Sequence, residues 1–80
     1  MSAAIHVDKV IDAKGQMCPM PIISLKRAYK ELEPGQTLAI MATDQGAKRD
    51  IPTFVENAEA VLLEMTEEGG VLTFYIRKPA

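Results

Sequence analysis

Apolar positions change their period along the chain, and each change marks an element. Ile5-His6-Val7-Asp8-Lys9-Val10-Ile11-Asp12 is β-branched and roughly alternating, and it stops at Ala13-Lys14-Gly15, which predicts a first strand and a turn. From Pro21 onward, Ile22, Leu25, Ala28, Tyr29 and Leu32 recur at the spacing of one helix face, with Lys26, Arg27, Lys30 and Glu31 on other faces. This amphipathic helix ends at Glu33-Pro34-Gly35, where proline cannot continue the ladder and glycine accepts a left-handed turn. Thr37-Leu38-Ala39-Ile40-Met41-Ala42 is a short apolar run with little alternation, the pattern of a strand inside a sheet.

Thr43 to Arg49 is a polar loop with Asp44 and Gly46, and Asp50-Ile51-Pro52 opens a second helix with Asp50 as N-cap. Its apolar stripe is Ile51, Phe54, Val55, Ala58 and Leu62, and the boundary with the next strand falls near Ala60. From there Val61, Leu63 and Met65 alternate with Leu62, Glu64 and Thr66. Glu68-Gly69-Gly70 signals a hairpin, and Val71 to Arg77 is the clearest strand, with Leu72, Phe74 and Ile76 on one face.

The order is β-α-β-α-β-β. Right-handed crossovers put both helices on one side of the sheet, which predicts an α/β two-layer sandwich with its other sheet face open. That face should carry Thr73 and Arg77, and any apolar residue left there is a candidate contact surface.

Composition narrows the chemistry. Eighty residues, 48% hydrophobic and 25% charged, suit a single domain spanning 1–80. A chain this short hides only about 60% of its unfolded surface, so its faces must pack well. One cysteine excludes an internal disulfide, and neither Cys/His clusters for a metal nor a Gly-rich phosphate loop appears, so no cofactor is expected. Nine Lys plus Arg against eleven Asp plus Glu leave a net charge of -2, without the broad basic footprint of direct nucleic-acid binding. No apolar run reaches the roughly 18 residues of a membrane span, and Met1 to Lys9 lack the basic start and apolar stretch of a signal peptide. A cytoplasmic location is the expectation, and there a single cysteine survives as a thiol.

Cys18 lies between Gly15, which lets the chain turn, and Pro19-Met20-Pro21, which opens the first helix. Proline is tolerated in a first turn because the N–H it lacks would be unpaired there anyway. With Cys18 as N-cap, the Met20 N–H is the remaining donor aimed back at sulfur, which then sits at the positive end of the helix dipole. That placement favours thiolate and lowers the thiol pKa below the roughly 8.5 of free cysteine. A residue before proline avoids helical angles, so Met20 is the alternative cap, with Cys18 just outside the helix. A lone free cysteine is most often an inert buried filler, whereas two prolines at a helix tip suit a side chain presented in a fixed direction.

Asp12-Ala13-Lys14-Gly15-Gln16-Met17-Cys18-Pro19-Met20-Pro21 resembles the N-terminal signature of the TusA/SirA-like family of small sulfur carriers. The resemblance continues through Pro34-Gly35, Asp44, Arg49-Asp50-Ile51-Pro52 with Phe54, and Phe74-Tyr75-Ile76-Arg77-Lys78. It implies a mixed four-stranded sheet and a sulfurtransferase-type carrier in which Cys18 holds a persulfide, positioned by Gly15, Pro19, Met20 and Pro21. It also implies a donor such as a cysteine desulfurase or rhodanese, and an acceptor protein with a reactive cysteine, for instance a DsrE-like one. Such relays serve tRNA thiolation, molybdenum-cofactor maturation or sulfur-compound oxidation.

Some family members place a basic residue beside the cysteine and an acidic one between the prolines, where this chain has Met17 and Met20. Those methionines are either core filler or an adaptable docking rim. Arg49, with Asp50 beside it, is the favoured charged contact for a partner or anion, because the resemblance puts it at the mouth of the second helix. Two readings compete with the carrier. One is a non-catalytic interaction or regulatory module docking through the Cys18 helix tip. The other is nucleic-acid binding on the open sheet face, for which Tyr75 is the one aromatic available.

Overall fold

A computed structural model describes residues 6–17 and 20–79, which form β1 (Lys9–Ala13), α1 (Met20–Lys30), β2 (Thr37–Ala42), α2 (Ala47–Asn57), β3 (Val61–Glu68) and β4 (Val71–Arg77). The order β-α-β-α-β-β and the mixed four-stranded sheet agree with expectation. Strands lie in the order β1-β2-β4-β3, with β1 parallel to β2 and both other pairs antiparallel. The α1 helix packs on β1 and β2, and α2 on β3 and β4.

Alternation along each strand decides which residues meet the helices. Ile11, Ile40, Phe74 and Met65 form one row across the four strands, and Leu38, Ile76 and Leu62 another. Leu38, Ile40, Leu72, Phe74 and Ile76 are fully buried against Leu25 of α1 and Ile51 of α2. Each such side chain stabilises the fold by about 1.5–3 kcal/mol through water released from apolar surface. Opposite them, Thr73, Tyr75 and Arg77 lie on the open face, whose exposed apolar residues include Val10 on one edge strand and Val61 on the other.

Two boundaries and one strand register differ from the sequence reading. Described structure in β1 begins at Lys9, and Ile5 lies outside the described residues. Gly46, not Asp50, precedes the first turn of α2, and no side chain caps it. Pro52 therefore sits inside the helix rather than at its start. The turn before it is held largely by i to i−3 bonds, from Ala47, Lys48 and Arg49 N–H to the carbonyls of Asp44, Gln45 and Gly46, so this tighter first turn precedes the proline. In β3 the register shifts between Leu62 and Glu64. That bulge breaks the alternation, so Leu62 and Met65 share the helix face while Val61 and Glu64 take the open one.

Candidate functional site

Parallel pairing sets Ala13 opposite Ala42, so the carboxyl ends of β1 and β2 lie side by side. From there one strand runs on toward α1 and the other toward α2, and both helices open at this end of the sheet. Reacting groups collect beyond the carboxyl ends of parallel strands because adjacent helix N-termini supply unpaired N–H groups and positive potential.

The connection from β1 to α1 is pinned at several points. Asp12 Oδ1 accepts the Lys14 N–H at 3.0 Å, and the Gln16 N–H reaches the Ala13 carbonyl at 3.1 Å. Gly15 turns the chain at φ +82°, where a Cβ would meet no neighbour, so the demand for glycine is conformational. Its N–H donates to Thr43 Oγ1 at 2.9 Å, bridging to the residue after β2. On the helix side the Met20 N–H donates to the Met17 carbonyl at 2.9 Å, and Ser24 Oγ donates to Gln16 Oε1 at 3.4 Å. Cys18 and Pro19, which the sequence reading placed at the centre of the site, lie outside the described residues. The helix itself opens at Met20, one position later than a Cys18 cap requires, and Met20 is a helical residue rather than the cap.

Gly15, Met17, Met20 and Pro21 are brought to the same end as the first turn of α2, which carries Arg49 and Asp50. Pro21 is buried in the fold. Met17 and Met20 are not core filler: they are 77% and 46% exposed, and with Ile23 they make an apolar rim. Arg49 projects into solvent with its Nε 3.8 Å from Oδ1 of the half-buried Asp50, while Lys48 Nζ pairs with Glu67 Oε1 at 3.1 Å. Beside the rim a groove of about 520 Å³ runs between the helices, floored by Ile22, Phe54 and Ala58 and edged by Lys26, Asp50 and Asn57. Among the described residues no group of His, Cys, Asp or Glu is placed to hold a metal ion, and no helix is long and apolar enough to cross a membrane.

The family model of the sulfurtransferase TusA matches residues 9–78. The chain belongs to the TusA family. Similar members of it include the putative sulfur carrier protein YrkI of Bacillus subtilis strain 168, 52% identical over 71 residues covering 89% of this chain and 95% of that one. The sulfur carrier protein TusA of Allochromatium vinosum is 38% identical over 71 residues, covering 89% of this chain and 93% of its own. Among solved structures, a SirA-like protein from Desulfitobacterium hafniense superposes with a TM-score of 0.80 at 28% identity, over 90% of this chain and 99% of that one. The TusA match spans all six elements, so the Cys18 segment lies within it and not at its margin.

Two anchors of this loop went unassigned in the sequence reading: Thr43, placed in a polar loop, and Gln16, named only within the stretch that carries the resemblance. The available signal was topological. A right-handed β-α-β unit makes neighbours of the two strand ends, and hence of Gly15 and Thr43.

Proposed function

We propose that this chain is a sulfur carrier that accepts and donates sulfane sulfur on Cys18 in a protein-to-protein relay. The Cys18 thiolate attacks the outer sulfur of a donor's persulfide. A new S–S bond forms, the donor's S–S bond breaks, and the donor leaves as a thiolate with no net oxidation. An acceptor cysteine then repeats the exchange on Cys18-S-SH. The observation that carries this reading is the chain's one cysteine, set in a Cys-Pro-Met-Pro segment inside a match to the TusA family.

A single cysteine suits a carrier, since no internal thiol can capture the persulfide as a disulfide and release the sulfur. Residues 1–80 act as one carrier domain in the cytoplasm. The donor is a desulfurase or rhodanese, and the acceptor is a protein of the DsrE-like kind. Met17, Met20 and Ile23 form the apolar part of the transient contact, and Arg49 with Asp50 its charged part. Both relatives are named as sulfur carriers, and neither name favours a purely docking module.

The test is intact-protein mass spectrometry after incubation with a cysteine desulfurase and cysteine, then with a rhodanese and with polysulfide, in the absence of reductant. The wild type is expected to gain about 32 Da per sulfur, reversibly with reductant, and Cys18→Ser to gain none while keeping its circular dichroism. If no donor loads a thiol that alkylation shows to be accessible, the carrier reading fails.

A further inference from the structure

We infer that the outer edge of β3 receives an extended segment of another protein, one that alternates lysine or arginine with apolar residues, as an added strand of the sheet. The strand order β1-β2-β4-β3 leaves β3 paired on one side alone. At 8 residues it is longer than β1, the opposite edge, at 5. Beyond the bulge the register with β4 runs unbroken from Glu64 opposite Tyr75 to Glu68 opposite Val71. In an antiparallel ladder alternate residues turn their N–H and carbonyl groups to the partner strand and the others turn theirs outward, so this stretch offers a row of backbone groups to an incoming chain.

The side chains along that edge set what the incoming chain must be. Glu64, Thr66 and Glu68 take the open face, opposite Tyr75, Thr73 and Val71, while Met65 and Glu67 take the helix face. Glu67 is bonded by Lys48 of α2 at 3.1 Å, whereas Glu64 and Glu68 form no ion pair among the described residues. Arg77 lies opposite Val61, on the far side of the bulge. Met65 is 40% exposed although it points to the helix side, which leaves apolar surface at the edge for a neighbour to cover. An occupant with its basic residues on the open face and its apolar residues on the helix face meets Glu64 and Glu68 on one side and Met65 on the other, at the period a strand imposes. A second copy of this chain does not fit that pattern. Pairing two β3 strands antiparallel about Thr66 sets Glu64 of each opposite Glu68 of the other, and like charges directly opposite destabilise a ladder. Charges and bulges are the devices that restrain an exposed edge, and here the charge rejects a copy while favouring a basic partner.

The experiment titrates the isotope-labelled full chain with a short capped peptide of alternating lysine and valine, and follows amide resonances and hydrogen exchange by NMR. Amides of Glu64–Glu68 that face away from β4 are expected to gain about tenfold protection at saturation, with smaller changes on β1. Glu64→Gln combined with Glu68→Gln, its fold checked by a thermal melt, is expected to weaken binding about fivefold through the loss of cross-strand charge pairs. The same peptide with its backbone N–H groups methylated keeps its charge and is expected to give no protection. Equal binding of the methylated peptide, or binding without protection on β3, is charge adhesion alone and overturns strand addition. Equal binding of a glutamate–valine peptide, or unchanged affinity in the double variant, overturns the selection of a basic partner. Protection of the same amides that rises with protein concentration in the absence of peptide assigns the edge to a second copy, and a lysine–valine peptide that does not bind overturns the proposal outright.

Discussion

Asp8 closes the start of the β1–β2 ladder from both of its polar ends. Its N–H donates to the Thr37 carbonyl at 2.8 Å while its Oδ2 accepts the Thr37 N–H at 2.9 Å, so the backbone of Thr37, the one buried polar residue among the described residues, is paired on both sides. The Thr37 N–H is the main reason the Asp8 carboxyl lies below its ordinary range, opposed by some desolvation and helped by exposed His6, whose Nε2 is 2.9 Å from Oδ1. A carboxyl held low when folded contributes stability above its unfolded pKa of about 3.9, and that contribution is lost as pH falls through the folded value. Melting temperatures measured from pH 7 to 3 are therefore expected to fall more steeply below about pH 4 for wild type than for Asp8→Asn. Asparagine keeps an acceptor for Thr37 but carries no charge to titrate. Equal slopes would remove Asp8 from the acid response and leave it to Glu31, lowered likewise by its 2.6 Å bond from Lys9. The sequence reading placed His6 and Asp8 in the first strand, whereas both precede β1, and their shared bonds were not legible, because the sequence does not say which residue faces Thr37.

At the scale of elements, the end of α1 shows how a distant segment completes a helix. Lys78 Nζ donates to the Leu32 carbonyl at 3.0 Å and reaches that of Tyr29 at 3.4 Å, and it lies 5.0 Å above the Tyr29 ring. The backbone adds two bonds, Gly35 N–H to the Lys78 carbonyl at 2.7 Å and Lys78 N–H to the Gln36 carbonyl at 2.9 Å. A cation there meets the carbonyls that gather at a helix end, and the negative end of the dipole. Tyr29 in turn stacks edge-on against Phe54 of α2 at 5.4 Å, so the tail after β4 is coupled to the contact between the helices. Lys78→Met, which keeps the stem but not the charge, is expected to lower stability by about 1–2 kcal/mol in urea unfolding, with Lys78→Arg close to wild type. Pro34-Gly35 announced the helix end in the sequence. The residue that caps it did not, because it lies 46 positions from Leu32.

For the whole molecule, charge is unevenly shared. Residues 50–76 carry six acidic and no basic side chains, and the remainder a net +4, which together leave -2. The acidic part forms most of α2, β3 and β4, whereas Lys14, Lys48 and Arg49 lie at the end of the sheet from which the Cys18 helix opens. With its smallest extent at 18 Å, the two-layer fold has little depth for an enclosed substrate cavity, so the proposed sulfur exchange is expected at an exposed surface, where such charges act on an approaching donor. Inorganic polysulfide is an anionic probe of this field. Arg49→Glu is expected to slow polysulfide loading about threefold at low salt, with the difference fading by about 0.5 M salt as screening shortens the reach of exposed charges. Rates that match wild type at low salt would assign Arg49 to protein docking alone or to none of the site.

The sequence by itself determined the element order, the helical face of α1, the buried faces of β2 and β4, the glycine hairpin, and the position of the one cysteine in the segment between β1 and α1. Each follows from a local period or from turn chemistry that a few residues contain. Tertiary structure alone decided the central place of β2 and β4, the early start of α2 at Ala47, the bulge that moves Met65 onto the helix face, and the meeting of Gly15 with Thr43. Those features arise when strands pair across long stretches of chain and their N–H and carbonyl groups find partners. No window of sequence states which partner that will be.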